Sequence, residues 1–567
     1  MTNGNELVKD KLLLLLLPFW TPMIPPLGIS TLKSYLKKND VNVKAVDVNI
    51  KESFRKIYDE YFDVLEMHVP KNQKGNLRNI GLIVFHEHLM ISLHSKKNDD
   101  NYIIYNETIS KIFFCKFSNE GLDKIKEICA RFYDLLEEYL HQLIIEEKPS
   151  VVGLSVYGDT FPASLFALKL IKENYHHIKT FMGGGIFAEP LALESTNFDY
   201  FSKRYGKYID HIIIGEGEGL VLKLMKNQLP SDQKVFTIKD QGNDKIEIDK
   251  LYEPDFSDFD LDYYTYLASF TSRSCPYQCN FCSEPLQWGK YRKKSGAKIS
   301  EELISMASKF NRQLFLFGDS LLNPVIDDLS KEIIKTKASV YWDGYLRANK
   351  HVTDPENTFL WRKAGFYRAR LGIESGSQRV LELMGKKTNI KQIKEAIINL
   401  ALAGIKTTTY WVIGYPGETE EDFQKTLDLI EELKDEIYEA DCNPFKYFKK
   451  IQVNSNEWAQ CEVPIYPENY REYMILQSWE LNMYPLREEI FKRIWRFVDH
   501  CKKLGIPNPY SLNEIYKADM RWKKLHKNAV PSIVEFEKQD KILTENYDIK
   551  RVNYAVDSVV IDEDYSF

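Results

Sequence analysis

Cys275, Cys279 and Cys282 fall within eight positions of one another, in the stretch Thr271-Ser-Arg-Ser-Cys275-Pro-Tyr-Gln-Cys279-Asn-Phe-Cys282. Three thiolates on one loop can hold three irons of a [4Fe–4S] cube, which leaves the fourth iron open to a substrate or cofactor. Structural zinc is the plain alternative, and it needs four ligands at tetrahedral angles. The nearest histidines in the sequence, His211 and His351, are each more than 60 residues away. Three unrelated buried cysteines are the other alternative, and the C-x3-C-x2-C spacing directly after a strand argues against it. Eight cysteines in 567 residues are too few for a disulfide framework.

The elements that must position this loop form a regular series. Candidate strands lie at 268–272, 314–317, 340–342, 368–373, 406–413 and 436–442, with candidate helices at 300–310, 324–336, 389–403 and 418–434 between them. Six strands with crossover helices predict a parallel barrel, complete or partial, with its chemistry at the strand C-termini. Those ends carry Gly318-Asp319, Arg347, Gly372-Ile-Glu374-Ser375-Gly376 and Ile413-Gly414-Tyr-Pro-Gly417. Singly, each is an ordinary strand-end acid or turn glycine; recurring at successive strand ends, they predict a ligand site.

Upstream, strands are expected at 12–17, 43–48, 151–156, 180–182 and 211–214, with helices at 28–38, 133–147 and 162–174. Gly183, Gly184 and Gly185 close one strand, and Gly215, Gly217 and Gly219 another. The alternation predicts an open parallel sheet with helices on both faces and ligands beyond its carboxyl edge. Residues 51–132 lack clear periodicity and read as an insertion. The chain thus divides into an α/β Rossmann-like unit at 1–250, a partial (β/α)6 barrel at 251–455 and a mainly helical region at 456–567. In the last, Trp458, Trp479, Trp495 and Trp522 either cap the barrel mouth or form core.

Composition excludes several classes. Hydrophobic residues at 44% and charged residues at 28% exclude a disordered chain or a rod. A net charge of −6 gives no electrostatic reason for a nucleic-acid partner. The longest apolar run, 12–17, falls far short of the roughly 20 residues a membrane helix needs. Pro18, Pro22, Pro25 and Pro26 break it without a cleavage site, so no signal peptide and a cytoplasmic location are expected.

Across about 265–445 the sequence resembles the radical S-adenosylmethionine superfamily. The resemblance implies that Cys275, Cys279 and Cys282 ligate a [4Fe–4S] cluster whose open iron chelates S-adenosylmethionine. It further places Phe281 beside adenine, Gly318 and Asp319 at the methionine end, Arg347 near a carboxylate, Glu374 and Ser375 at the ribose, and Gly414 against adenine. The upstream loops, Pro26-Leu27-Gly28, Gly153-Leu-Ser155-Val-Tyr157-Gly158, Gly183-Gly184-Gly185 and Gly215-Glu216-Gly217-Glu-Gly219, resemble cobalamin-binding domains fused to such barrels. No D-x-H-x-x-G loop occurs, since His176, His177 and His211 lack the flanking Asp and Gly. Cobalamin binding without a histidine ligand is therefore expected, with Tyr157 beneath cobalt.

The resemblance implies a methyltransferase acting through a 5′-deoxyadenosyl radical on an unactivated carbon of a peptide or other natural product, served by a low-potential donor such as flavodoxin or ferredoxin. A cyclase, rearrangement or oxidation enzyme using the same cofactors is the alternative, and a non-catalytic cobalamin or iron–sulfur sensor is a remoter one. A methylthiotransferase is disfavoured, because upstream only Cys115 and Cys129 are available for a second cysteine triad.

Overall fold

The computed structural model describes residues 10–20, 23–68, 77–95, 99–188, 190–242, 246–449, 452–471, 479–508 and 512–526. The first sheet contains β1 (Lys11–Leu16), β2 (Asn42–Asp47), β3 (Val151–Ser155), β4 (Lys179–Gly183), β5 (His211–Ile214) and β6 (Val235–Thr237), all parallel, in the order β2-β1-β3-β4-β5-β6. The leucine run is β1, apolar throughout because both of its faces are covered. Leu12, Leu14 and Leu16 enter one core, and Leu13, Leu15 and Leu17 enter another. Strand alternation assigns the two sets to opposite faces.

The odd-numbered face is covered by what the sequence presented as an aperiodic insertion. The described residues of 51–132 are mainly helical: α2 (Glu52–His68), α3 (Leu77–His94), α4 (Asp99–Ile112) and the first half of α5 (Asn119–Glu147). The helix expected at 133–147 thus begins fourteen residues earlier, where the Ser118 side chain accepts from the Gly121 amide at 3.1 Å. Helix α3 is apolar around most of its circumference because neighbours surround it, so it shows no amphipathic stripe. The opposite face carries α1 (Leu27–Lys38).

The second sheet is β7 (Leu267–Ser269), β10 (Leu314–Phe317), β11 (Tyr341–Leu346), β12 (Phe366–Glu374), β13 (Lys406–Ile413) and β14 (Glu439–Pro444), parallel and in sequential order. Between β7 and β10, β8 (Ser272–Arg273) pairs antiparallel with β9 (Arg292–Lys293). Its first and last strands do not pair with each other, so this is a partial barrel. On β12, Ala369, Leu371 and Ile373 join the outer core, while the alternate residues Arg368 and Arg370 form ion pairs with Glu439 (2.5 Å) and Asp343 (2.9 Å).

The C-terminal region is not helical alone. β15 (Glu462–Pro464) pairs antiparallel with β16 (Trp479–Leu481) before the helices Arg487–Lys503 and Leu512–Leu525; 527–567 lie outside the described residues. Trp458 caps the mouth and Trp522 packs at the opposite, amino end of β14 against Tyr438. Among the described residues no helix is long and apolar enough to cross a membrane.

Candidate active site

The cysteine loop leaves β7 and is held from several sides. Asp319, at the end of β10, accepts from the Thr271 amide (2.7 Å), the Thr271 hydroxyl (2.6 Å) and the Ser272 hydroxyl (2.9 Å). Burial pushes this carboxyl up, and those bonds pull it back. The Asn280 amide donates to the Met384 carbonyl at 2.9 Å, and Gln452 Nε2 donates to the Phe281 carbonyl at 3.0 Å. Cys279 is buried, whereas Cys275 and Cys282 are half-buried. Burial pushes the Cys282 thiol up to about 12, so it needs a bound metal to be a thiolate at neutral pH.

Among the described residues no three His, Cys, Asp or Glu side chains converge as ligands of one ion would. Thiolates that each bind a different iron of a cube need no such convergence. Arg347, at the end of β11, places Nη1 at 3.4 Å from Cys279 Sγ and its guanidinium 4.1 Å from the Tyr277 ring centre. Its buried Nη2 has no partner, so one donor stands free beside the cysteine loop.

At the end of β12, Glu374 has a φ of 68° and bonds Lys386 Nζ at 2.5 Å. A side chain at Gly372 would meet that pair, its Cβ 2.6 Å from Glu374 Oε1 and 3.0 Å from Lys386 Nζ. Lys386, 6.0 Å from the Phe281 ring centre, ties the fourth strand end to the cysteine loop. The sequence reading passed over it, although Gly385, with a φ of 62°, marks the turn that follows the short helix Gln378–Leu383. Ser375 is buried and accepts from the Ser377 amide at 3.1 Å, which makes it part of the turn. Gly414 meets the C-terminal region: its amide donates to Glu418 Oε2 at 3.0 Å, and a Cβ there would stand 2.4 Å from Ile490.

The carboxyl edge of the first sheet faces the same loop. Glu216 pairs with Arg273 at 2.9 Å and also with Arg292, and Glu218 pairs with Arg273. The Glu216 carboxylate, assigned by the sequence to a cofactor, is thus committed to the β8–β9 hairpin. Leu27 Cδ2 lies 3.2 Å from where a Gly318 Cβ would stand, so the two strand-end edges touch. The Pro26 carbonyl accepts from the Ser30 amide at 3.1 Å and opens α1.

The glycines divide into two sets. At Gly184, with φ of 109°, a Cβ would sit 2.6 Å from Val156 backbone atoms; at Gly185, 2.9 Å from the Tyr157 ring; at Gly183, 3.2 Å from the Ile213 carbonyl. These three serve close packing within the fold. Gly215 opens onto free space and Gly217 meets only Val221 at 3.8 Å, which is room a flat ligand would need. Tyr157 lies between these groups, its hydroxyl 3.9 Å from the Gly28 Cβ position and its ring 4.6 Å from that of Trp20. Ser155 hydrogen-bonds its hydroxyl, while burial pushes that hydroxyl's pKa up.

An aromatic wall rises on the other side of the barrel mouth. Tyr415, Phe445, Tyr447 and Trp458 pack together with Phe281 at their edge. Beside them a cavity of about 60 Å³ is lined by Gly414, Asn443, Phe445, Met483 and Arg487, with Ile83 and Phe113 from the helical insertion.

Residues 269–430 match the radical SAM superfamily, so the second sheet is a radical SAM domain, which implies a [4Fe–4S] cluster and S-adenosylmethionine. The chain is 26% identical over 338 residues to the anaerobic magnesium-protoporphyrin IX monomethyl ester cyclase of Rubrivivax gelatinosus; the match covers 54% of this chain and 59% of that protein. In fold it is similar to the radical S-adenosylmethionine methyltransferase TsrM of Kitasatospora setae, solved with cobalamin and a [4Fe–4S] cluster, at a TM-score of 0.58 and 14% identity over 96% of this chain and 100% of that one. It is similar also to the cobalamin-dependent S-adenosylmethionine radical enzyme OxsB, solved with aqua-cobalamin, at a TM-score of 0.56 and 14% identity over 97% and 79%. These likenesses span both sheets and establish the fold class.

Proposed function

From the premise that residues 269–430 are a radical SAM domain, we propose that this chain is a cobalamin-dependent radical methyltransferase acting on an unactivated carbon of a small molecule or peptide. The observation that carries the reading is the meeting of two parallel-sheet edges at the cysteine loop, through Glu216 and Glu218 on Arg273 and Leu27 against Gly318. A radical made at one edge is quenched unless a methyl donor waits at the other. When bound, the cofactors supply reductive cleavage of S-adenosylmethionine to a hydrogen-abstracting radical, and a methyl group carried on cobalt.

The chain's own residues do the rest. Cys275, Cys279 and Cys282 hold the cluster, and Asp319 fixes their loop by bracing Thr271 and Ser272. Arg347 Nη2 is free to bind the carboxylate of S-adenosylmethionine, and Glu374, steadied by Lys386, to accept from the ribose. Gly215 and Gly217 would leave room for a corrin, and Tyr157, beside Gly28 and Trp20, would help to hold it. The Tyr415–Trp458 wall keeps water from the radical. A flavodoxin- or ferredoxin-like donor supplies the electron.

The test is product analysis with a low-potential reductant. A methyltransferase forms S-adenosylhomocysteine and 5′-deoxyadenosine in equal amounts with each methylated product. The cyclase likeness supports a second reading, cyclisation without methyl transfer. Product formed with 5′-deoxyadenosine and no S-adenosylhomocysteine would sink the first reading and favour a cyclase, rearrangement or oxidation.

A further inference from the structure

The scheme above uses one terminal nitrogen of Arg347 and leaves the other without a role. Nη1 donates to Cys279 Sγ at 3.4 Å, and the guanidinium lies over the Tyr277 ring, 4.1 Å from its centre. Tyr277 stands between Cys275 and Cys279, so the guanidinium covers the middle of the cysteine loop. Cys279 is the most deeply buried of the three cysteines, and Arg347 is 5% exposed. Away from water, an N–H···S bond and the field of a full charge are screened little.

The fold sets this distance. Asn323, in the loop between β10 and the helix Ile326–Thr336, accepts from the Arg347 amide at 2.8 Å and donates to the Arg347 carbonyl at 3.0 Å. The same loop supplies Asp319, which braces Thr271 and Ser272 ahead of Cys275. One short segment therefore holds both the arginine and the loop it touches. Charge balance sets Arg347 apart from its neighbours. Arg368 and Arg370 of β12 are neutralised by Glu439 and Asp343. Among the described residues no carboxylate pairs with Arg347, and its Nη2 is buried without a partner.

We propose that Arg347 tunes the cluster: by donating to the Cys279 sulfur and holding an uncompensated positive charge beside the loop, it raises the potential at which the cluster is reduced. The inference rests on the cluster that the radical SAM domain implies and on no step of methyl transfer. In the step concerned, the low-potential donor is oxidised by one electron and the cluster is reduced by one; no proton moves and no bond breaks. Reduction adds one negative charge to the cluster and its three thiolates. A donor on a ligating sulfur and a cation beside it stabilise the reduced form more than the oxidised one. The planar fork of arginine suits the place better than lysine, since Nη1 can hold the sulfur while Nη2 stays available to a carboxylate.

The test is a redox titration of the full-length, anaerobically reconstituted protein without S-adenosylmethionine, corrinoid or substrate, followed by the electron paramagnetic resonance of the reduced cluster. Arg347→Met leaves a long side chain and removes both donor and charge. At a fixed applied potential it should lower the ratio of reduced to oxidised cluster about tenfold, equivalent to about 59 mV for one electron. Arg347→Lys should fall between Arg347→Met and the native protein, because it keeps the charge. A merely structural role would lower iron content and leave the midpoint of the assembled clusters unmoved. An unchanged or higher midpoint in Arg347→Met, or a midpoint in Arg347→Lys as low as in Arg347→Met, would overturn the proposal. The native protein gives a second reading that needs no variant. Isotopically labelled at its arginine nitrogens, it should show a hyperfine coupling between the reduced cluster and arginine nitrogen, and absence of that coupling would overturn the proposal. Neither measurement involves the radical reaction, so failure of this inference and failure of the methyltransferase reading are separate results.

Discussion

Asp319 shows how a site residue acts without touching the reacting atoms. Its carboxylate receives three donors from Thr271 and Ser272, four to three residues before Cys275. Asp319→Ala leaves those donors buried without an acceptor, at a cost of about 3 kcal/mol or more. The expected outcome is a lower midpoint in chemical denaturation of the apoprotein and reduced iron incorporation on anaerobic reconstitution, with all three cysteines intact. Glu374→Gln is the complementary case: it preserves volume and should raise the S-adenosylmethionine concentration for half-maximal 5′-deoxyadenosine formation by roughly tenfold, the equivalent of a charge-assisted hydrogen bond. The cysteines were legible in sequence because their spacing is local. The commitment of Glu216 to Arg273 and Arg292 was not, since those partners lie 57 and 76 positions away and only the fold joins them.

At the scale of elements, the strands of both sheets were readable because they alternate with helices and end in glycine or acid. What each glycine does was not, because sequence shows a missing side chain and not what occupies its place. Gly184→Ala should destabilise the apoprotein by about 2 kcal/mol or more, through positive φ and collision with the Val156 backbone. Gly217→Leu, at a φ of −88° with space around it, should fold with nearly native thermal stability and lose retention of an added corrinoid. Comparing apoprotein melting with corrinoid retention separates the two classes.

The insertion was the least legible element, and it has a pH signature. Burial lowers the pKa of His88 to about 3 and of His94 to about 4. Folded histidines with depressed pKa values bind fewer protons than unfolded ones, so their contribution is full above the unfolded value near 6.5 and is lost as pH falls towards the folded values. For fully buried His88 the loss is about 1.4 kcal/mol per pH unit. Glu87 on the same helix, its carboxyl raised by burial, works in the opposite direction. His86, His88 and His94 are all depressed and together outweigh one carboxyl, so amide exchange in α3 should accelerate, relative to the barrel strands and after correction for intrinsic rates, between pH 7 and pH 5. Equal protection at the two pH values would contradict the burial of these rings.

On the scale of the whole molecule, the two sheets share one core. Leu12, Leu14 and Leu16 of β1 belong to the same buried cluster as Phe315 and Phe317 of β10 and Trp342 of β11. The connection is reinforced where the linker crosses the first sheet: Asp258 accepts from the Ala45 amide at 2.9 Å and pairs with Lys33 at 2.7 Å, and the Tyr264 hydroxyl donates to Asp47 at 2.7 Å. Weakly joined domains move relative to each other, whereas a large apolar interface prevents it. Calorimetry of the apoprotein should therefore show the two sheets melting together in a single transition; two separated transitions would contradict the shared core.

That shared core also fixes the kinetics of loading. A chain whose two sheets cannot hinge apart offers a bulky ligand no open state, and anything lodged between their carboxyl edges must enter through the seam or while the edges are locally unfolded. Exchange of a bound corrinoid for free corrinoid would then run at the pace of local opening, with a steep temperature dependence and little response to the concentration of the competitor. A corrinoid would behave as a part built in during folding, while S-adenosylmethionine came and went with each turnover.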